Sequence, residues 1–314
     1  MELFPSNSNF NFMKVRMVSL AIAFLIMVVA FAAMGTKGFN YALDFKGGTA
    51  VDLRFDHPVD AEKIRHGLEK AGYESPVVQT VGTGNDVLVR LKPRKSDGDA
   101  AASGDAIVRA TQAVAAPAKL LRSGYQSIGP QIGKELAING MYAAMFVVFG
   151  FGVYIWVRFE FKFAVAALIT TLHDVVLVSG WFAISGHEFD LTVLAGILSV
   201  MGYSINDTIV VFDRVRENFR TLHKLTPMEV LNRSINQTLS RTIITSFVAF
   251  LTVLALYIYG GATLRGMAES QIIGIVIGTL SSIFVACPLL QLLGANKKDL
   301  MPRLRDDAEL ARRP

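Results

Sequence analysis

The sequence predicts an α-helical integral membrane protein of six transmembrane helices, with a ferredoxin-like α+β domain between the first and second. Three observations lead there. Of 314 residues, 52% are hydrophobic and only 18% charged, where soluble domains carry about a quarter charged residues. Six apolar stretches approach the roughly 20 helical residues needed to cross a hydrocarbon core. Between the first two stretches the pattern changes to short alternating strands and amphipathic helices.

The apolar stretches are 17–34, 137–157, 163–184, 191–212, 242–259 and 272–293. The first and fifth are short, so their helices should extend into flanking polar residues. The first also resembles a cleavable signal core, with Lys14 and Arg16 before it and Ala30-Phe31-Ala32 within it. Its continuation through Met34 favours a retained span.

Orientation follows from the basic residues. With residues 1–16 inside, Lys14, Arg16, Arg158 and Lys162 are cytoplasmic. So is a basic loop at 213–241 carrying Arg214, Arg216, Arg220, Lys224, Arg233 and Arg241. The tail at 294–314 adds Lys297, Lys298, Arg303, Arg305, Arg312 and Arg313, while the two short outer loops contain only Arg265. Both termini are therefore expected in the cytoplasm, which accounts for a net charge of +5 without a nucleic-acid partner.

Residues 35–136 fall on the far side. Val51, Leu53 and Phe55 alternate as one face of a strand at 49–55, and Ile64, Leu68 and Ala71 share a helical face that Gly72 ends. Strands follow at 76–81 and 87–91 around a Gly82-Thr83-Gly84-Asn85-Asp86 turn. A polar loop at 92–104, a helix at 105–116 and a strand at 124–128 complete a strand-helix-strand-strand-helix-strand order, the ferredoxin-like pattern.

Chemistry is sparse elsewhere. The single cysteine, Cys287, lies in an apolar run and reads as a packing residue. Residues 129–135 look superficially like a phosphate loop, but the glycine spacing is wrong and Glu135 stands where a Mg²⁺-binding hydroxyl belongs. No catalytic triad, cofactor or metal pattern is present, so neither an enzyme nor a cofactor is expected. Gly274, Gly278, Ser282 and Ala286 form a small-residue packing stripe, which Pro288 ends and kinks.

Ionisable residues inside apolar spans are the informative ones, because each is costly unless paired, hydrated or neutral. Asp207 sits in the fourth span, by this reading about 7–8 Å from its cytoplasmic end at 1.5 Å per residue. Arg241 opens the fifth span from the same side. It reads either as an ordinary basic flank or as the counter-charge of Asp207, an acid whose proton affinity changes when its partner moves. His173 and Asp174 lie at the middle of the third span; Asp174 is a further candidate for a proton relay, and His173 reads as structural.

Four segments together resemble the SecD/SecF family of protein-export membrane proteins: 39–49 with its Gly47-Gly48 pair, 127–133, 202–218 around Asp207, and 236–246 around Arg241. Lys46 departs from the small polar residue usual there. The resemblance implies pairing with SecD in a twelve-helix assembly of the resistance-nodulation-division superfamily, in a bacterial inner membrane, with the inserted domain periplasmic. It implies association with the SecYEG translocon, with YajC, YidC and the moving polypeptide as further partners, and use of the proton-motive force to promote translocation. Asp207 and Arg241 fall at the family's proton-passage positions. The alternative within the superfamily is a half-transporter exporting a small molecule or lipid.

Overall fold

The computed structural model describes residues 10–73, 76–81, 84–91, 100–128, 130–296 and 299. Six helical spans in it are long and apolar enough to cross a membrane. The first is α1 (Arg16–Thr36), preceded by a 3₁₀ turn at Phe12–Val15. A short strand β1 (Asn40–Tyr41) and one helical turn α2 (Leu43–Lys46) lead into the inserted domain.

That domain runs β2 (Gly48–Phe55), α3 (Ala61–Lys70), β3 (Val77–Val81), β4 (Asp86–Leu91), α4 (Ala100–Ala115) and β5 (Leu120–Ile128). The strands form one antiparallel sheet ordered β3-β4-β2-β5. Strand β2 has the expected period of two: Val51, Leu53 and Phe55 are buried while Asp52 and Arg54 face out. They pack with Val89 and Leu91 against Ile64 and Leu68 of α3 and Ile107 of α4. Asp60 caps α3, its side chain accepting from the Glu62 amide at 2.9 Å. Helix α4 begins earlier than the sequence pattern indicates, and β5 begins four residues before 124. Of the expected loop at 92–104, residues 92–99 lie outside the described residues, as do Gly82 and Thr83 of the turn.

The remaining spans are α5 (Pro130–Arg158), α6 (Phe161–Ser185), α7 (Leu191–Thr221), α8 (Pro227–Tyr259) and a sixth built from α9 (Gly261–Ser281), a π segment (Ser282–Ala286) and α10 (Cys287–Leu292). Helices α6, α7 and α9 form the interior of the bundle; α1, α5 and α8 lie outside them with most of their apolar surface open. The small-residue stripe does what its spacing implies. A Cβ added at Gly274 would fall 2.2 Å from Val200 Cγ2, and one at Gly278 would meet Ser204 at 3.4 Å, so α9 lies directly on α7.

Pro288 leaves its mark as a π segment just before it. Proline has no N–H to give the Phe284 carbonyl one turn back, and its ring crowds that carbonyl. Ser19 of α1 satisfies it instead, donating to Phe284 O at 2.8 Å.

The expected basic loop at 213–241 is helical except for 222–226, because α7 continues to Thr221 and α8 starts at Pro227. Hydropathy marks where lipid contact ends, not where a helix does. The α8 start carries a full capping box, Thr226 with Glu229, and Pro227 at its first turn. Beyond the apolar segments the two extensions are joined by polar bonds: Asn218 donates to Ser234 and to Gln237, both at 2.8 Å. Arg158 pairs with Asp213 at 2.8 Å and Arg216 with Glu160 at 2.9 Å, both guanidinium groups resting on the Phe159 ring. The connection before the sixth span is shorter than expected, so Arg265 lies in α9 rather than in a loop. The tail residues Lys297, Lys298, Arg303, Arg305, Arg312 and Arg313 lie outside the described residues.

The inserted domain is tied to the bundle at one end of α7. Strand β1 pairs in parallel with β6 (Glu188–Phe189), the link between α6 and α7. The α7 N-terminus has exposed amide donors that two carboxylates satisfy. Asp190 accepts from Val193 N at 2.7 Å, and Asp44 of α2 from Leu191 N at 3.1 Å. Arg90 of β4 pairs with Glu188. Burial pushes the Arg90 guanidinium below its usual range, and the charges of Asp190, Asp44 and Asp52 oppose that shift.

The Gly47-Gly48 pair makes this junction possible. Their φ angles are +71° and +138°, where a Cβ is strained. A Cβ at Gly133 of α5 would also lie 3.0 Å from the Gly47 amide nitrogen, backbone that cannot move aside. Gly47→Ala is therefore expected to destabilise the full-length chain by about 1–2 kcal/mol, read as a lower unfolding temperature in detergent. Gly133→Ala should also lower it, whereas Gly150→Ala, with nothing within 4 Å, should not.

Candidate functional site

The interior polar residues gather where α6, α7, α8 and α9 meet. Along α7 the buried positions Val193, Gly196, Ile197, Val200, Ser204, Asp207, Thr208 and Val211 follow three- and four-residue steps, so Ser204 and Asp207 share the inward face one turn apart. Because α7 extends to Thr221, Asp207 lies near the centre of the helix rather than near its end.

The two acids are held very differently. Asp174 is completely buried. Its Oδ2 accepts from Ser204 Oγ of α7 at 2.5 Å and from Ser281 Oγ of α9 at 2.7 Å. Its Oδ1 lies 2.9 Å from the Nδ1 of the neighbouring His173. One carboxyl group thus joins three spans through three hydrogen bonds. His173 Nε2 is buried and has no partner among the described residues.

Asp207 is 3% exposed, yet the structure gives its side chain one hydrogen bond among the described residues, from Ser246 Oγ of α8 at 3.5 Å. Ser246 belongs to a hydroxyl cluster: Tyr203 OH donates to it at 2.8 Å, and Thr279 Oγ1 of α9 lies 2.7 Å away.

The expected Asp207–Arg241 ion pair is not formed. Arg241 is exposed on α8, near enough for its charge to act on Asp207 but without a hydrogen bond to it. Helical geometry explains this. Ser246 comes five residues after Arg241, a rotation of about 140° at 3.6 residues per turn, so when Ser246 points into the bundle Arg241 points out. Arg241 also lies in the body of α8 rather than at its opening, since that helix starts at Pro227.

The sequence reading found Asp174, Asp207 and His173, and the structure brings Asp174 and Asp207 to the same helix junction. It missed Tyr203, Ser204, Ser246, Thr279 and Ser281. The available signal was hydroxyl residues one turn from an intramembrane acid (Ser204 from Asp207) or one turn beyond a glycine in the packing stripe.

The chain matches the family described as "Protein export membrane protein SecD/SecF, C-terminal" over residues 108–296, a region holding every residue of this cluster. It also matches the SecD/SecF GG motif over 32–59, which includes the strained Gly47-Gly48 pair. The chain belongs to the SecD/SecF protein-export family.

Among relatives, the protein translocase subunit SecF of Pseudomonas aeruginosa is 42% identical over 93% of this chain and 94% of its own length. That of Escherichia coli O157:H7 is 36% identical, covering 93% and 90%. The crystal structure of SecDF from Thermus thermophilus, titled a translocon-associated membrane protein, superposes with a TM-score of 0.81 at 37% identity. A SecDF crystal structure in a super-membrane-facing form gives 0.62 at 34% identity. Each match covers 92% of this chain and 39% of the longer SecDF chain. The chain is thus a multi-pass membrane protein of the SecF type.

The unequal bonding of the two acids predicts unequal structural cost. Asp174→Ala strands Ser204 in the interior, leaves Ser281 only the Gly278 carbonyl, and should destabilise the chain by about 1–3 kcal/mol. Asp207→Ala loses one long contact and should cost clearly less. Thermal unfolding of the two variants side by side checks the order.

Proposed function

We propose that this chain is the SecF-like half of a SecD–SecF assembly in the bacterial inner membrane, which uses proton entry to promote polypeptide movement through the SecYEG translocon. The observation that carries the reading is Asp207, a carboxyl group buried inside the bundle and held, among the described residues, by one 3.5 Å hydrogen bond. A carboxylate kept only for packing would be bonded as Asp174 is. We read the inserted domain as ferredoxin-like and periplasmic: its sheet order, β3-β4-β2-β5, supports the first, and the basic residues on the opposite side support the second. Both termini are then cytoplasmic.

In this reading a proton arriving from the outer side neutralises Asp207. Arg241, which faces out of α8 and makes no ion pair among the described residues, loses the attraction that draws it toward α7. The repacking passes along α7 to its N-terminus, where Asp44, β6 and Arg90 join that helix to the outer domain. One charge crossing 100 mV is worth about 2.3 kcal/mol, which biases a two-state element but requires repeated cycles to move a chain. The machinery is that of a transport subunit and not of an enzyme. The outer apolar surfaces of α1, α5 and α8 are available to SecD.

Asp207→Asn keeps the shape and removes the titration. Reconstituted with SecD and the translocon in vesicles, this variant should assemble normally but lose the increase in polypeptide translocation that a proton gradient gives. A variant that retains gradient-stimulated translocation excludes the proposed role.

A further inference from the structure

Ser246 stands between Asp207 and the sixth span, and its hydroxyl has more partners than protons. Its oxygen lies 2.7 Å from Thr279 Oγ1, 2.8 Å from Tyr203 OH and 3.5 Å from Asp207 Oδ2. Thr279 Oγ1 is in turn 2.6 Å from the carbonyl oxygen of Ile275. Each hydroxyl carries one proton and accepts at two lone pairs. That count leaves the Asp207–Ser246–Thr279 chain two complete arrangements.

When Asp207 is ionised it only accepts, so Ser246 donates to it. Thr279 and Tyr203 then both donate to Ser246. When Asp207 carries a proton, its O–H donates to Ser246, which still accepts from Tyr203 and now donates to Thr279. Thr279 turns its own proton to the Ile275 carbonyl, which has a lone pair beyond its helical bond. No proton leaves the hydroxyls; each rotates.

We propose that Ser246 is a positioning residue that reads the charge of Asp207 and transmits it to α9 by reversing the direction of this hydrogen-bond chain. The proposal rests on Asp207 being the proton site. Its consequence lies in the helix packing, because Thr279 directly follows Gly278, the residue of α9 that lies against Ser204 of α7. Among the described residues, Arg241 on α8 is the charge that acts on Asp207; Tyr203 on α7 reaches it through Ser246, and Asp174 on α6, with His173 beside it, binds Ser204 one turn along α7. Among the described residues α9 contributes only the neutral Thr279 and Ser281 to this junction.

The test is infrared difference spectroscopy on the full-length chain in lipid vesicles, following the protonated-carboxyl band as pH is varied. Asp207→Asn assigns the band by removing it. Ser246→Ala deprives the carboxylate of its donor, so the band should persist to higher pH. Thr279→Val removes the acceptor that the protonated arrangement needs, so the band should vanish at lower pH. Each displacement should be about threefold or more in proton concentration, as expected for one lost hydrogen bond. Thr279→Ser and Ser246→Thr, which keep the hydroxyls, should restore the original profile. Displacement of both variants in the same sense, or of neither, overturns the switch while leaving Asp207 as the proton site. A band unaffected by Asp207→Asn overturns the proton-site reading and the switch with it.

Discussion

The Asp174 carboxyl group, sealed among α6, α7 and α9, is the interaction on which the rest of the bundle depends. An acid there has no water to turn to, so its donors must come from the neighbouring spans. Ser204 and Ser281 supply them at 2.5 and 2.7 Å, and in doing so fix the rotation of α7 and α9 about their axes. The small residues of α9 then let the two helices close, Gly274 against Val200 and Gly278 against Ser204. With α7 fixed in rotation, Asp207 one turn further on is carried into the interior, where its one hydrogen bond among the described residues is to the Ser246 hydroxyl. A fully bonded acid thus places a sparsely bonded one, and only the second has room to change its partners.

The inserted domain is coupled to the same helix. Asp44 lies four residues after Asn40 and three before Gly47, so the segment leaving the first span places its carboxylate on the first amide of α7, that of Leu191, before turning into β2. The positive φ angles of Gly47 and Gly48 are the cost of making that turn within so few residues. Arg90 adds a contact from the sheet to Glu188 at the same point. Asp207 and the inserted domain are therefore connected through one continuous helix, which is the shortest mechanical path the fold offers between them.

Much of this was legible in the sequence. The apolar runs located all six spans, and the period-two pattern at Val51, Leu53 and Phe55 located one of the two central strands of the inserted sheet, because both signals are set by burial alone. Asp207 and Asp174 were visible as charges in the wrong solvent. Helix ends were not visible: α7 and α8 leave the apolar region as amphipathic helices, and charge density there reads as loop. Nor was the direction of Arg241, since a favourable pairing in sequence says nothing about which face of α8 turns inward. The hydroxyls of Ser204, Ser246, Thr279 and Ser281 were hidden for a different reason. Small polar residues are ordinary in tightly packed spans, and only their position around the two acids distinguishes them.

The division of labour between the acids can be measured directly with an apolar carbodiimide, which reacts with carboxyl groups that take up a proton in apolar surroundings. The full-length chain in vesicles would be treated with dicyclohexylcarbodiimide and the adduct located by peptide mass mapping. Modification at Asp207, with Asp174 left untouched, is the expected result. Modification of Asp174 as readily as Asp207, or of Asp174 alone, would contradict the assignment of one acid to structure and the other to proton exchange.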